Sequence, residues 1–153
     1  MAFEHVSDDA LSAKALAAFR KLDEWKQTQS DFRDSGEKGK WDSVDSPPTV
    51  LVVRHPKTGA TWAVVHASGG RGCGDFGADM SAIFERRGSS WTHHSTSGSF
   101  KPLAAFDLDG DDAPEFIGDG APDYAAPRVL VDDTGGGFGS VAEFTFLYAD
   151  CPC

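Results

Sequence analysis

The feature that most constrains this chain is a nine-residue acidic stretch between two short apolar segments. Carboxylates occupy its first, third, fifth and ninth positions, namely Asp107, Asp109, Asp111 and Glu115. Side chains at alternate positions of a tight loop converge, and charges about 5 Å apart repel by about 3 kcal/mol at an effective dielectric of about 20. We call residues 107–115 the acidic loop. It predicts a bound cation, and an all-oxygen cage suits Ca²⁺ before Mg²⁺.

The spacing within the acidic loop distinguishes between two kinds of calcium loop. An EF-hand needs glycine at position 6 and glutamate at position 12, where this chain has Asp112 and Gly118. The flanking segments are also strand-like and not helical. The stretch instead resembles the calcium loop of the FG-GAP and VCBS repeats. Their pattern is an apolar strand, D-x-[DN]-x-[DN]-G-x-x-[DE], a second apolar strand and then Gly-Ala-Pro. The resemblance covers residues 103–122 as a single copy.

The resemblance implies a ligand set and a biological context, which are expectations at this point. The four carboxylates would be side-chain ligands, and Ala113 would contribute its backbone carbonyl. Repeats of this kind occur in integrin-type propellers and in many bacterial surface proteins. Asp112 stands where the pattern has glycine, and aspartate adopts a left-handed backbone more readily than most residues. One repeat cannot close a propeller, so the resemblance predicts a cation loop and not that fold.

Two alternatives stay open around the acidic loop. The loop can also be read as an acidic β-turn that backbone hydrogen bonds stabilise without any ion. A fainter copy of its last part follows, with Asp119 and Asp123 on either side of Gly-Ala-Pro. This second segment is either a weaker cation site or a surface turn set by its proline.

The overall charge excludes some classes of partner. The formal net charge is −10 and the pI is about 4.7. Nucleic acids and anionic membranes would be repelled by such a chain. No apolar run reaches the roughly 18–20 residues that a membrane span requires. We therefore expect no nucleic-acid binding and no membrane insertion, and the expected partner is another protein or a surface glycan.

The first third of the chain differs in composition from the remainder. Residues 7–26 predict one amphipathic helix, because apolar side chains recur at steps of three and four. These are Leu11, Ala15, Phe19, Leu22 and Trp25. Residues 27–48 are polar and predict a linker in which Trp41 anchors on the domain surface. The predicted organisation is a helix and linker over residues 1–48 and a β-rich domain over residues 49–153.

Short β-branched and aromatic runs separated by turn residues predict a mainly β fold of the α+β class. The 17 glycines and eight prolines point the same way. Consecutive strands with tight connections imply an antiparallel meander, against which the helix packs. The predicted strands are residues 49–55, 61–67, 80–86, 91–95, 103–106, 115–117, 129–131 and 141–148.

The three cysteines bear on the compartment. Neighbours in Cys-Pro-Cys pair poorly, so we expect Cys73 to bridge either Cys151 or Cys153. Such a bridge would stabilise the fold by about 4–5 kcal/mol on the chain-entropy model. A Cys₃ metal or redox site is the rival interpretation, although CxxC is absent. A disulfide and millimolar Ca²⁺ both favour an extracytoplasmic location if a leader precedes Met1, and otherwise the protein is cytoplasmic.

The sequence offers little sign of catalysis. His66 and His94 each begin an H-x-[ST] motif, loosely like those of 2H phosphoesterases but much closer together. His93 and His94 are adjacent on a predicted strand and should point to opposite faces. No nucleophile, base and orienting group come together. We therefore expect a non-enzymatic, calcium-stabilised binding or adhesion-type module. The alternative is an acidic intracellular inhibitor or immunity-like protein that binds a basic partner.

Overall fold

A computed structural model describes residues 1–70, 76–120 and 126–146 of the chain. Within these ranges nine strands, two α-helices and one 3₁₀ turn follow one another. The helices are α1 (Asp9–Phe19) and α2 (Asp23–Asp34), and the 3₁₀ turn is Trp41–Ser43. The strands are β1 (Glu4–His5), β2 (Thr49–Arg54), β3 (Thr61–Gly69), β4 (Ala78–Arg87), β5 (Ser90–His94), β6 (Phe100–Phe106), β7 (Glu115–Gly120), β8 (Ala126–Asp133) and β9 (Phe138–Phe146).

The strands form two antiparallel sheets in which sequence neighbours are also hydrogen-bonded neighbours. One sheet has five strands in the order β1-β2-β3-β4-β5, and the other has four in the order β6-β7-β8-β9. Short connections favour this arrangement, because antiparallel neighbours need only a tight turn between them. The prediction of a mainly β, α+β meander is confirmed, with the meander divided between two sheets.

The two sheets are joined to each other at both edges. An antiparallel bridge pairs Ala2 with Phe106 at the end of β6, and a parallel bridge pairs Thr96 with Phe138 at the start of β9. The Phe3 N–H also donates to the Ala105 carbonyl at 3.0 Å. The N-terminal segment therefore runs from the four-stranded sheet onto β2 of the five-stranded sheet, beside the acidic loop.

Two hydrophobic clusters lie on opposite faces of the five-stranded sheet. Alternation along β3 divides its side chains, with Trp62 and Val64 in one cluster and Ala63 and Val65 in the other. The cluster between the sheets comprises Phe3, Val53, Trp62, Val64, Ile83, Phe100, Ala105, Phe116, Val129, Val131 and Phe138. The cluster beneath the helices comprises Leu11, Ala15, Phe19, Trp25, Phe32, Trp41, Val52, Ala63, Val65, Ala67, Ala82 and Phe84. The order of layers is helices, five-stranded sheet and four-stranded sheet.

The single helix predicted over residues 7–26 is wrong, because the chain forms two helices with a break between them. Asp8 caps α1 by accepting the Leu11 N–H at 3.0 Å. The first helix ends at Phe19, and Leu22 is extended with φ −61° and ψ 144°. The apolar stripe continues in phase across the break, since Trp25 of α2 packs in the same cluster as Phe19. Periodicity alone therefore does not reveal the interruption.

Residues 27–34 of the polar segment predicted as a linker belong to the second helix. Its buried residues are Trp25, Gln29 and Phe32, which are spaced by four and three. The Gln29 side chain donates to the Gly39 carbonyl at 3.0 Å and accepts the Trp41 N–H at 3.2 Å. Trp41 is fully buried and not a surface anchor. Neither helix of the described chain has the length and hydropathy of a membrane span.

Candidate cation site

The acidic loop connects β6 to β7 at the end of the four-stranded sheet. The register of this hairpin pairs Phe106 with Glu115, so the two strands hold the ends of the loop against each other. Asp107 and Glu115 are only 7% and 3% exposed, whereas Asp109 and Asp111 are exposed to solvent. The loop thus has a buried base and an open outer part.

The structure brings three of the predicted ligands together. One carboxylate oxygen from each of Asp107, Asp109 and Asp111 lies within 4.8 Å of the other two. Each side chain also accepts a backbone N–H within the loop. The bonds are Gly110 N–H to Asp107 Oδ1 at 2.7 Å, Asp111 N–H to Asp109 Oδ1 at 3.1 Å and Ala113 N–H to Asp111 Oδ1 at 2.8 Å. The backbone therefore fixes the directions in which the three carboxylates point.

Glu115 lies beside this group of three and not within it. Its Oε2 accepts the Leu108 N–H at 2.7 Å. Burial raises the pKa of Glu115, the Leu108 N–H opposes that shift, and the negative charges of Asp109 and Asp132 add to it. The buried carboxylate therefore faces a negative environment, in which a nearby cation would favour its charged form.

His55 is a second buried polar group that points at the loop. It stands at the end of β2, its side chain is 0% exposed, and Phe3 packs on its ring edge-on. Its Nδ1 accepts backbone N–H groups from Thr58 at 3.0 Å and Lys57 at 3.3 Å. Its Nε2 is buried and forms no hydrogen bond with the residues that the structure describes. It lies 3.3 Å from Asp112 Oδ1 and 3.7 Å from Asp107 Oδ2.

Asp112 lies outside the group of three converging carboxylates, and its Oδ1 is 3.3 Å from His55 Nε2. His55, Asp107 and Asp112 form a second group, which shares Asp107 with the first and whose ligand atoms also lie within 4.8 Å of one another. The backbone of Asp112 is left-handed, with φ 67°, as expected for a position where the repeat pattern has glycine. The acidic loop therefore contains an outer oxygen cluster and an inner contact to the β2–β3 turn.

The lysines and arginines of the described chain do not pair with the carboxylates of the acidic loop. Among residues 1–70, 76–120 and 126–146, no lysine or arginine forms an ion pair with the acidic loop. The N-terminal ammonium of Met1 donates to the Asp107 carbonyl oxygen, and the Asp107 N–H donates to the Met1 carbonyl at 2.6 Å. The converging carboxylates could therefore hold a metal ion, which would offset their repulsion.

The histidines of the H-x-[ST] motifs occupy different surroundings. His66 Nε2 lies 2.9 Å from Asp79 Oδ1, and His94 Nε2 lies 3.2 Å from Glu85 Oε2. The His94 ring packs on Trp62 of the inter-sheet cluster. Each of these two histidines therefore has its own acidic partner.

His93 and His94 point to opposite faces of their sheet, as strand geometry requires. The His93 ring packs on Phe84 of the cluster beneath the helices, whereas His94 contacts the inter-sheet side. Burial lowers the pKa of His93; the charge of Glu24 opposes that shift and His94 adds to it. The adjacent pair does not present two nitrogens to one metal ion.

Other predicted positions have ordinary partners or lie outside the described residues. Asp119 forms an ion pair with Arg128, which neutralises the charge that a second cation site would use. Asp123 lies outside the described residues, and so do Cys73, Cys151 and Cys153. The disulfide therefore stays a prediction.

Comparison of the chain with protein-family models, curated proteins and solved structures finds no match. What the acidic loop does is therefore inferred from its own chemistry.

Sequence reasoning missed His55, because its contact with the loop joins residues more than fifty positions apart. The local signal was a histidine directly before a Pro-Lys-Thr-Gly turn, where its ring nitrogen can accept the turn's N–H groups.

Proposed function

We propose that the acidic loop binds Ca²⁺ and that the ion stabilises a non-enzymatic binding module of the adhesion type. The observation that carries this proposal is the convergence of Asp107, Asp109 and Asp111 within 4.8 Å. Glu115 supplies a fourth, buried carboxylate next to them. A cation would attract all of these carboxylates and so offset the repulsion between them in the loop that joins β6 and β7.

The ligand chemistry favours Ca²⁺ over other ions. Carboxylate and carbonyl oxygens suit hard cations, and Ca²⁺ accepts six to eight of them in irregular geometry. Mg²⁺ demands near-octahedral geometry and keeps several waters. The resemblance to the FG-GAP and VCBS loop supports the same ligand set, in which the Ala113 carbonyl would join the four carboxylates. We propose this set as the calcium-binding residues.

The position of the loop supports a role in binding a partner. The loop contacts the β2–β3 turn through His55, and Asp132 at the end of β8 is near enough to raise the pKa of Glu115. An ion in the loop would hold these neighbouring connections as one surface. We propose a protein or a surface glycan as the partner. An open site with exposed carboxylates suits millimolar Ca²⁺, which is an extracytoplasmic concentration.

Calorimetric Ca²⁺ titration and thermal unfolding test the proposal. A ligand that binds only the folded state stabilises it by about 2.7 kcal/mol when its concentration is about 100 times Kd. We expect the melting temperature to rise in millimolar CaCl₂ and to return to its starting value in chelator. Asp109→Asn should remove the response, and Glu37→Gln is the matched control because it makes the same charge change at a distant exposed position.

Two results would contradict the proposal. One is a wild-type melting temperature that CaCl₂ does not change beyond error. The other is an Asp109→Asn variant that responds as strongly as Glu37→Gln, since the ion would then bind elsewhere. Mg²⁺ at the same concentration should give a smaller rise, because the loop does not impose octahedral geometry.

A further inference from the structure

We propose that His55 is a positioning residue of the acidic loop, which directs its Nε2–H at Asp112 beside Asp107 and restricts the site to oxygen-ligated cations. The inference rests on the proposed calcium function and goes beyond it by assigning the β2–β3 turn a part in the site. It also names the class of ion that the site excludes, which is nitrogen-seeking transition metals such as Zn²⁺.

The first step is the tautomer of His55. Its Nδ1 faces two backbone N–H groups, from Lys57 and Thr58, at 3.3 and 3.0 Å. An imidazole nitrogen that accepts hydrogen bonds carries a lone pair and no proton, so the neutral ring carries its proton on Nε2. The nitrogen that points at the acidic loop is therefore a donor.

The second step is that this donor has no hydrogen-bond partner among the residues that the structure describes. The side chain is fully buried, and Nε2 is not exposed to solvent. Two carboxylate oxygens lie near it, Asp112 Oδ1 at 3.3 Å and Asp107 Oδ2 at 3.7 Å. A buried N–H gains by closing onto one of these carboxylates, since leaving it unpaired is costly.

The third step is the effect on the loop. Asp107 has one oxygen held by the Gly110 N–H, and its other oxygen faces His55. Asp112 is held in a left-handed conformation with its carboxylate directed at the same nitrogen. His55 therefore faces the second oxygen of the first ligand, and closure of its N–H onto Asp112 would restrain the turn that follows the three converging carboxylates. Such supporting hydrogen bonds orient metal ligands in many sites.

The fourth step concerns the choice of metal. The group of His55, Asp107 and Asp112 has the residue types that bind Zn²⁺ or Ni²⁺. Ligation by Nε2 would require its proton to move to Nδ1. A donor at Nδ1 would then face the Lys57 and Thr58 N–H donors and repel them. Two hydrogen bonds would be lost, and the turn would have to rearrange. The β2–β3 turn thus keeps the nitrogen out of the ligand set.

Long-range ¹H–¹⁵N spectra of the histidine rings test the tautomer in the full-length chain. His55 is assigned by the signal that His55→Gln removes. We expect the Nε2–H tautomer in the metal-free protein, and no change in the His55 signals when ZnCl₂ is added. A protonated Nδ1, or a Zn²⁺-dependent shift of Nε2, would overturn the inference. The metal-free spectrum answers this question whether or not Ca²⁺ binds.

Calorimetric Ca²⁺ affinity tests the positioning role. His55→Gln keeps an N–H donor near the place of Nε2, whereas His55→Phe keeps the ring volume and removes the donor. Loss of a supporting hydrogen bond costs about 10–100-fold in metal affinity. We expect His55→Phe to weaken Ca²⁺ binding by about tenfold or more, and His55→Gln to stay within about threefold of the wild type. His5→Gln, at an exposed position on β1, is the control.

The melting temperature in chelator separates positioning from a general loss of structure. A purely structural role would lower that temperature and leave the Ca²⁺ dissociation constant of the folded variant unchanged, which would contradict the inference. If His55→Phe does not fold, the inference is tested by the Ca²⁺ affinity of His55→Gln and by the tautomer of the His55 ring in the wild type. A wild-type protein that does not bind Ca²⁺ would overturn the proposed function instead.

Discussion

His55 Nε2 lies 3.3 Å from Asp112 Oδ1 and thereby joins two hairpins that belong to different sheets. His55 begins the turn between β2 and β3 of the five-stranded sheet. Asp112 lies in the acidic loop between β6 and β7 of the four-stranded sheet. Any ion that orders the loop would therefore also act on the turn of the opposite sheet.

The left-handed backbone of Asp112 gives a first prediction. Asp112→Gly and Asp112→Ala both remove the carboxylate. The difference between their free energies of unfolding therefore reports the cost of the left-handed backbone alone. Alanine at φ 67° costs about 1 kcal/mol more than glycine. We expect Asp112→Ala to be less stable than Asp112→Gly by about that amount in urea unfolding with chelator present.

Asp111 is the matched control for this comparison. Among the described residues Asp112 is the one non-glycine residue with positive φ, so alanine suits the backbone of Asp111. Asp111→Ala should therefore be at least as stable as Asp111→Gly, because glycine loses more chain entropy on folding. If alanine and glycine rank in the same order of stability at both positions, the left-handed backbone of Asp112 does not determine the difference.

The buried carboxylate of Asp42 gives a second prediction. Its Oδ2 accepts the Arg20 Nε–H at 2.7 Å and the Trp25 Nε1–H at 3.0 Å, and Ser43 donates to Oδ1 at 2.8 Å. Burial acts to raise the pKa of Asp42, but these hydrogen bonds and the Arg20 charge outweigh it and lower the pKa below 3.8. Asp42→Asn should cost about 2 kcal/mol near neutral pH, the size of hydrogen bonds to a charged group.

The stability that Asp42→Asn loses should depend on pH, because the pKa of Asp42 is lowered in the folded state. A carboxyl with a lowered pKa in the folded state contributes stability that is present above its unfolded pKa, near 3.8. The contribution is lost as the pH falls through the lower, folded value. The difference between wild type and Asp42→Asn should therefore be constant at pH 5–7 and shrink below about pH 3.8. Asp23→Asn should change little, because the Asp23 carboxylate is 94% exposed and its pair with Lys26 is screened.

The hairpins were predictable from local sequence, whereas the helical layer was only partly so. The Pro56-Lys57-Thr58-Gly59 turn fixed the β2–β3 hairpin, because its residues favour one connection regardless of distant contacts. The second helix escaped prediction because Gln29 occupies a core position in it. A buried glutamine looks like surface in a hydrophobicity pattern, and only its contacts with Gly39 and Trp41 explain its burial.

The acidic loop was predictable as a set of carboxylates but not as a site. The spacing of Asp107, Asp109 and Asp111 indicates convergence, because an Asx turn depends on residues only two or three positions apart. The contact between His55 and Asp112 depends on how the two sheets meet. That meeting is set by the inter-sheet cluster, and no local pattern encodes it.

The close pairing of β6 and β7 at Gly118 gives a third prediction. A Cβ at Gly118 would lie 2.5 Å from the Lys101 carbonyl oxygen and 2.6 Å from the Phe100 ring. The carbonyl belongs to the paired strand and cannot move alone, so Gly118→Ala should cost about 1–3 kcal/mol. Gly136→Ala is the control, because no atom of the described residues lies within 4 Å of its added Cβ. Equal unfolding midpoints for the two variants in urea would show that the strands do not approach this closely.

The link between the two hairpins gives the last prediction, which amide hydrogen exchange measures. Ca²⁺ should slow exchange at Gly110, Asp111 and Ala113, because their N–H groups donate to the carboxylates that would hold the ion. If His55 transmits the ordering, Lys57 and Thr58 should also slow, since both donate to its Nδ1.

At about ten times its Kd, Ca²⁺ should slow hydrogen exchange at the loop and turn amides by up to about tenfold. Binding to the folded state lowers the population of the open state by at most that factor. Chelator should reverse the change. Gly88 and Ser89, in the β4–β5 turn, serve as the internal control and should exchange at the same rate throughout, because they lie on a different connection of the five-stranded sheet. Slowing in the acidic loop without slowing at Lys57 and Thr58 would show that the two hairpins respond independently. In that case the 3.3 Å contact between His55 and Asp112 would hold the hairpins together without coupling them.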